Sequence, residues 1–190
     1  MKNFRLSALA AIAVLGMASC SKDDEAPVNE EEVITTVITT LTNTTSTSGN
    51  VVLTSKDLDG DGPNAPVVSQ TGTIRTNHAY TGAVKFLNEQ KTPAEDITPE
   101  VVAEGKDHQV FFQAGTAVGT FSYADTDVDG RPIGVKFNFN SGATNGMQQD
   151  FKVTLRHLPV KTATGVLAGN IAQAGGSTDA EVTYKVIIAP

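Results

Sequence analysis

Residues 119–140 carry the clearest hydrophobic pattern in the chain, two alternating segments joined by an aspartate-rich turn. In the second segment, apolar residues occupy positions 133, 135, 137 and 139, and polar residues or glycine occupy the positions between them. Successive side chains of a strand point to opposite faces, so this period of two predicts a half-buried β-strand. The first segment repeats the pattern with Gly119, Phe121 and Tyr123, which predicts a hairpin.

The same reasoning extends to the rest of the chain. Nine strands are predicted, at residues 33–42, 51–56, 67–75, 80–88, 108–113, 117–124, 133–140, 149–158 and 181–189. Residues 33–42 also fit helical spacing, but nine of the ten are β-branched, which favours a strand. One short helix is predicted after Thr98, its N-cap candidate, with Pro99 in the first turn and Gly105 at the end. Residues 33–190 are therefore expected to form one all-β domain, an antiparallel immunoglobulin-like β-sandwich.

The succession of predicted strands along the chain also divides the loops between the two poles of the sandwich. If each strand crosses the sandwich once, the loops at 57–66, 89–107, 124–132 and 159–179 share one pole. This pole carries most of the acidic residues of the domain, and His108 and His157 lie beside it. Long loops grouped on a rigid scaffold are where binding sites usually lie, so we expect the functional surface here.

The composition of the chain excludes several classes of function and structure. The formal net charge is −7, and it becomes −9 when a leader containing Lys2 and Arg5 is removed, which argues against nucleic acid as a partner. After residue 20, no apolar run approaches the roughly 20 residues of a membrane-spanning helix. The chain has one cysteine, which excludes disulfides and thiolate metal cages within one chain.

The N-terminal residues predict where the protein is located in the cell. Basic residues, an apolar run at 6–17 and small residues at 18 and 19 precede Cys20, which is typical of a signal peptide covering residues 1–19. Residues 17–20 resemble a bacterial lipobox, which implies acylation of Cys20 and a lipid anchor in the membrane; an ordinary signal peptide with an incidental cysteine is the alternative. Residues 21–25 (SKDDE) resemble the export tag of Bacteroidota lipoproteins. We expect an acidic tether at 20–32 and an outer-membrane protein facing the cell surface, with the periplasmic side as the alternative.

Two loops match the opening of a calcium loop, with acids at every second position and a glycine for the turn. Their aspartates are Asp57, Asp59 and Asp61 in one loop and Asp125, Asp127 and Asp129 in the other. Both lack the acid of an EF-hand at position twelve, where Val68 and Lys136 stand. The hypothesis is Ca²⁺ as a stabilising cofactor, which would raise the melting temperature; the alternative is that aspartate and glycine only form turns.

His108 begins one predicted strand and His157 ends another at the same pole. Two imidazoles with neighbouring carboxylates are suited to Zn²⁺ or Cu²⁺, so these residues form an alternative transition-metal site. The competing interpretation is that His157 continues an apolar face and is a partly buried core residue. The sequence leaves both open.

Catalytic motifs are not found. The chain has no Gly-x-Ser-x-Gly elbow, no His-Glu-x-x-His pair and no phosphate-binding loop. It also has no tryptophan, the usual platform for a sugar beside paired glycosidase carboxylates. We therefore expect a protein that is not an enzyme.

Several segments together resemble a family of uncharacterised Bacteroidota lipoproteins. They are residues 30–35 (EEEVIT), 54–66 (TSKDLDGDGPNAP), 93–98 (PAEDIT), 108–112 (HQVFF), 132–134 (PIG), 155–159 (LRHLP) and 165–183 (GVLAGNIAQAGGSTDAEVT). Members are often labelled "type 1 periplasmic binding fold superfamily protein". That fold is α/β, whereas this sequence predicts one short helix, so the strand pattern favours a sandwich instead. The resemblance implies no assigned activity, and it implies that members can lie near TonB-dependent receptors.

Three functions follow, in order of preference. The first is a calcium-stabilised binding or accessory module on the outer membrane, which contacts a cation, a small ligand or a receptor protein. The second is a Zn²⁺ or Cu²⁺ capture lipoprotein that uses His108 and His157 and partners a TonB-dependent receptor. The third, a surface hydrolase, has the least support.

Overall fold

The computed structural model describes residues 32–46, 49–60, 62–143 and 146–190. The strands are β1 (Thr36–Asn43), β2 (Val51–Lys56), β3 (Val67–Thr71), β4 (Ile74–Arg75), β5 (Ala79–Asn88), β6 (Glu95–Asp96), β7 (His108–Ala114), β8 (Gly119–Tyr123), β9 (Lys136–Ser141), β10 (Gln149–His157), β11 (Ser177–Val186) and β12 (Ile188–Ala189). One α-helix, α1, covers Thr98–Ala103, and two short 3-10 turns cover Val166–Ala168 and Ile171–Gln173. Within these residues, no helix has the length and apolarity needed to span a membrane.

The strands form two antiparallel sheets, which confirms the predicted all-β sandwich class. The larger sheet has the order β3-β2-β1-β5-β9-β8, with β6 paired to one end of β5, and the smaller sheet has the order β11-β10-β7. A further pair, β12 with β4, is parallel and departs from the purely antiparallel expectation. Alternation within either two-residue segment gives no information about such a distant partner, so the sequence pattern did not reveal it.

All nine predicted strands have a counterpart, but only the strand at 51–56 keeps its predicted bounds, and the strands predicted at 67–75 and 181–189 are each divided in two. The strand predicted at 67–75 is divided at Gly72, whose φ is +78° and where a Cβ would lie 2.5 Å from the backbone oxygen of Asn50. This left-handed turn separates β3 from β4. The last long strand begins at Ser177, inside the connection predicted at 159–179.

The start of α1 differs from the prediction by one residue. Ile97 is the N-cap and its side chain makes no capping hydrogen bond, while the carboxylate of Asp96 accepts a hydrogen bond of 3.1 Å from the backbone nitrogen of Thr98. The hydroxyl of Thr98 instead accepts a hydrogen bond of 2.9 Å from the backbone nitrogen of Phe86 in β5. The hydroxyl that was predicted to cap the helix is therefore used in a tertiary contact, which fastens α1 to the larger sheet.

An aromatic core joins the two sheets. Phe137 and Phe139 of the larger sheet and Phe151 and Tyr184 of the smaller sheet are almost fully buried. Phe112 of β7 packs on Phe137 with ring centroids 4.2 Å apart. These contacts hold β7 and β10 firmly against β9, which fixes the ends of those strands where the candidate site lies.

Candidate metal centre

His108 and His157 lie side by side at one end of the smaller sheet. His108 is the first residue of β7, His157 is the last residue of β10, and the two are direct cross-strand partners. Their imidazole rings stack with centroids 4.8 Å apart and an interplanar angle of 13°. His108 is fully buried and His157 is 6% exposed. The prediction that both histidines share one pole is confirmed.

A β-bulge brings Asp179 to the histidines. Ala180 and Thr178 of β11 pair with consecutive residues of β10, which leaves Asp179 as the extra residue between them. A bulge redirects the side chain of its extra residue, and here the carboxylate is turned inward and is 3% exposed. Its Oδ2 lies 3.6 Å from Nε2 of His108, and its Oδ1 lies 3.9 Å from Nδ1 of His157.

The backbone beside His157 has positive φ angles at two residues, Leu158 just after β10 and Gly176 just before β11. Gly176 has φ +70°, and a Cβ there would lie 2.1 Å from the backbone oxygen of His157, so this close approach requires glycine. Leu158, directly after His157, has φ +50°, a conformation that a bulky residue rarely adopts. Its backbone nitrogen is held by the oxygen of Asp107 at 2.6 Å. Such strain is concentrated at functional sites, where the surrounding structure maintains it.

Two glutamates form a second group, which shares His108 with the first and extends the cluster. Glu32, predicted as the last residue of the tether, belongs instead to the folded domain: its side chain is 9% exposed, and its Oε2 lies 3.3 Å from Nε2 of His108. Glu104 follows α1, and its carboxylate lies within 4.8 Å of the ligand atoms of Glu32 and His108. The cluster therefore joins the N-terminal segment, the end of α1 and all three strands of the smaller sheet.

The hydrogen bonding of His108 determines which of its nitrogens is available. Nδ1 lies 3.2 Å from the backbone oxygen of Glu104, and a carbonyl can only accept, so Nδ1 carries the proton. Nε2 then presents its lone pair to the carboxylates of Glu32 and Asp179. Among the described residues, neither Nε2 of His108 nor Oε2 of Glu32 has a hydrogen-bond partner.

Burial shifts the pKa values of His108 and Glu32. It lowers the pKa of His108, and the hydrogen bond to the Glu104 carbonyl offsets only part of that effect. Burial also raises the pKa of Glu32, and the like charge of Glu100 raises it further. Both shifts reflect chiefly the cost of holding charge away from water, which the neighbouring groups offset only in part.

The spacing of the donor atoms suits a small cation. One ligand atom each from His108, His157 and Asp179 lie within 4.8 Å of one another. Two donors 2.0–2.1 Å from a tetrahedral Zn²⁺ are about 3.3–3.4 Å apart, so the observed separations of 3.3–3.9 Å between His and carboxylate atoms are close to those of ligands. The widest spacing in the group would have to shorten by at most about 1.5 Å.

The aspartates of residues 125–129 are occupied by other contacts. Asp125 accepts hydrogen bonds from the backbone nitrogens of Gly134 at 2.7 Å and Lys136 at 2.8 Å. Asp127 accepts from its own turn and from the buried Lys161 ammonium at 3.0 Å. Asp129 pairs with Lys106 at 3.1 Å. These carboxylates stabilise the hairpin through hydrogen bonds and ion pairs.

The aspartates at 57 and 59 also accept hydrogen bonds within their own loop. Asp57 accepts from the backbone nitrogen of Gly60, and Asp59 accepts from the side chain of Asn64 at 2.8 Å. Asp61 lies outside the described residues. The groups of described residues whose ligand atoms converge within 4.8 Å contain none of these loop aspartates. Calcium binding by the two loops stays a prediction.

Sequence reasoning found the two histidines and missed their carboxylate partners. Asp179 and Glu104 stood among the acids of the predicted pole, but the ligands at 32, 104, 108, 157 and 179 have no local spacing motif. Their predicted location at the same pole as the histidines was the signal in the sequence that could have identified them as partners. The bulge that orients Asp179 depends on pairing between strands, which a single sequence does not display.

Comparisons with protein-family models, with curated proteins and with solved structures find no match for this chain. The resemblance to Bacteroidota lipoproteins therefore stays a prediction from the sequence segments alone. The geometry of the cluster carries the functional argument.

Proposed function

We propose that this protein binds a divalent transition-metal ion, Zn²⁺ or Cu²⁺, between His108, His157 and Asp179. One observation carries the proposal: the fully buried Nε2 of His108 directs a lone pair at two carboxylates and makes no hydrogen bond within the described residues. A lone pair and a carboxylate oxygen repel each other in a buried site. A cation between them replaces this repulsion with two favourable bonds.

The donor atoms favour transition metals over calcium. Imidazole nitrogen with carboxylate oxygen is a common ligand set for Zn²⁺ and also suits Cu²⁺, whereas Ca²⁺ takes six to eight oxygen ligands. The Glu104 carbonyl that holds Nδ1 of His108 matches the outer-shell partner that orients most metal-binding histidines. The cluster contains no arrangement of nucleophile and base, and we propose a binding role for it.

The proposal is tested by calorimetric titration of the full chain with Zn²⁺ and Cu²⁺. We expect one ion per chain, and we expect His157→Ala to weaken binding by more than about 100-fold, the upper end of what losing an outer-shell partner costs. His78→Ala is the matched control, because the His78 ring contacts the backbone of Thr76 in a turn outside the cluster. Equal affinity of the His157→Ala and His78→Ala chains would refute the site.

We place this activity at the outer membrane, on the evidence of the sequence. The lipobox ending at Cys20 supports a lipid anchor, and the SKDDE tag supports display on the cell surface, where the module would serve a neighbouring receptor protein. Replacing Cys20 with serine removes the acylated thiol, so we expect the protein to leave the membrane fraction. Retention of the Cys20→Ser chain in that fraction would contradict the anchor.

A further inference from the structure

We infer that Glu32 is the ligand that closes the metal site, so that capture of the ion fastens the N-terminal segment, residues 32–35, to the smaller sheet. This inference rests on the proposed metal binding and goes beyond it, because it assigns a fourth ligand and a mechanical consequence. Glu32 lies outside every strand, whereas His108, His157 and Asp179 all belong to the smaller sheet.

The Glu32 carboxylate lies where a ligand of the metal ion would lie. Its Oε2 lies 3.3 Å from Nε2 of His108, the shortest distance between a histidine nitrogen and a carboxylate oxygen in the cluster. That distance equals the separation of about 3.3 Å between neighbouring ligands of a tetrahedral ion. The oxygen is buried and has no hydrogen-bond partner among the described residues, so it is already positioned as a donor.

The attachment of the segment carries the second step. Thr35 is fixed to the larger sheet, because its nitrogen donates to the oxygen of Leu87 at 2.9 Å and its oxygen accepts from the nitrogen of Asp57 at 2.7 Å. Val33 and Ile34 make no backbone hydrogen bond to another described residue, and Val33 is 48% exposed. Within the part of the chain that the structure describes, the side chain of Glu32 is thus the polar link between this segment and the smaller sheet.

The ligand atoms converge in two groups, His108 with His157 and Asp179, and His108 with Glu32 and Glu104, so His108 joins Glu32 to the other two ligands. An ion that drew Glu32 in beside His108, His157 and Asp179 would have a closed coordination sphere. Zinc sites with four protein ligands are structural, whereas catalytic sites keep a position for water or substrate. The ion would therefore be retained rather than used for chemistry, and it would hold the two sheets together at this pole. Glu32 follows Cys20 by 12 residues, so a loaded domain on a lipid anchor would be held within about 40 Å of it.

The test replaces Zn²⁺ with Co²⁺, whose visible absorption reports its coordination, in the full chain and in Glu32→Gln. We expect the intense absorption of a tetrahedral ion in the parent chain, and weaker absorption with at least about tenfold lower affinity in the variant. Glu95→Gln, an exposed residue of β6, is the control. Glu32→Asp retains the charge on a shorter side chain and should lie between the parent and Glu32→Gln, which separates a ligand effect from a failure to fold.

Hydrogen exchange supplies the second readout. Metal should slow exchange of the amides of residues 33 and 34 in the parent and in Glu95→Gln, and should leave it unchanged in Glu32→Gln. If Glu32→Gln binds the metal with parental affinity and absorption, the inference is wrong and the proposed function stands. If no chain binds the metal, the proposed function itself is wrong.

Discussion

Nδ1 of His108 lies 3.2 Å from the backbone oxygen of Glu104, four residues earlier in the chain. This contact places the ring proton on Nδ1 and leaves the lone pair of Nε2 directed into the carboxylate cluster. The turn between α1 and β7 therefore determines the chemical state of a side chain in the sheet. It links a local feature of the backbone to the proposed affinity for metal.

Asp179→Asn tests the contribution of the bulge residue to binding. The amide keeps the shape of the side chain but loses the negative charge beside the two histidines, so we expect Zn²⁺ affinity to fall by at least about tenfold. Asp150→Asn, an exposed residue whose partner is Lys185, is the control and should bind normally. Calorimetry gives both affinities, and an unchanged affinity in Asp179→Asn would remove this residue from the site.

Gly176→Ala tests the close approach of the strands beside His157. A left-handed conformation costs an ordinary residue about 1–2 kcal/mol, and a Cβ at Gly176 would in addition lie 2.1 Å from a backbone oxygen. Gly175→Ala is the matched control, because its φ is also positive but its Cβ would meet only Val160 at an ordinary 3.8 Å. We expect urea denaturation to show the larger loss for Gly176→Ala; equal losses would mean that the close approach is relieved without cost.

Lys161→Met tests the buried ion pair that supports the aspartate hairpin. Nζ of Lys161 lies 3.0 Å from Oδ2 of Asp127, and both side chains are almost fully buried. Removing the ammonium leaves the buried carboxylate with only the hydrogen bonds from the backbone nitrogens of Asp129 and Arg131, which should lower the free energy of unfolding by up to about 3–5 kcal/mol. The double variant with Asp127→Asn should recover part of that loss in the same denaturation experiment. No recovery would show that the two residues act independently.

The pH dependence of stability follows from the same carboxylate. Burial by itself raises the pKa of Asp127, but the hydrogen bonds from Arg131 and Lys161 outweigh it and hold the pKa below its ordinary value of 3.8. A depressed carboxyl pKa contributes stability above the unfolded pKa, and this contribution is lost as the pH falls through the folded value. The stability of the parent against denaturation should therefore decline below about pH 4, and Asp127→Asn should lack this component of the decline. A parallel decline in both chains would contradict the assignment.

The sequence predicted the elements that local patterns control. Alternation at Ile133, Phe137 and Phe139 indicated a half-buried strand, and all three residues lie in the core, although the strand itself begins at Lys136. The sequence also placed the two histidines together. If each strand crosses the sandwich once, the pole at which a strand begins or ends follows from its position in the chain. Asp179 was missed as a ligand because its orientation depends on a bulge, and Glu32 because an acidic run before a strand reads as a tether. Both depend on contacts between residues far apart in the chain.

The most direct test of the metal centre is anomalous X-ray diffraction from crystals of the chain grown with Zn²⁺, measured on both sides of the zinc absorption edge. The proposed function predicts one strong anomalous peak about 2.0–2.1 Å from Nε2 of His108, within bonding distance of a nitrogen of His157 and an oxygen of Asp179. A fully loaded crystal with no peak between these residues, or with zinc only at the surface aspartates, would contradict it.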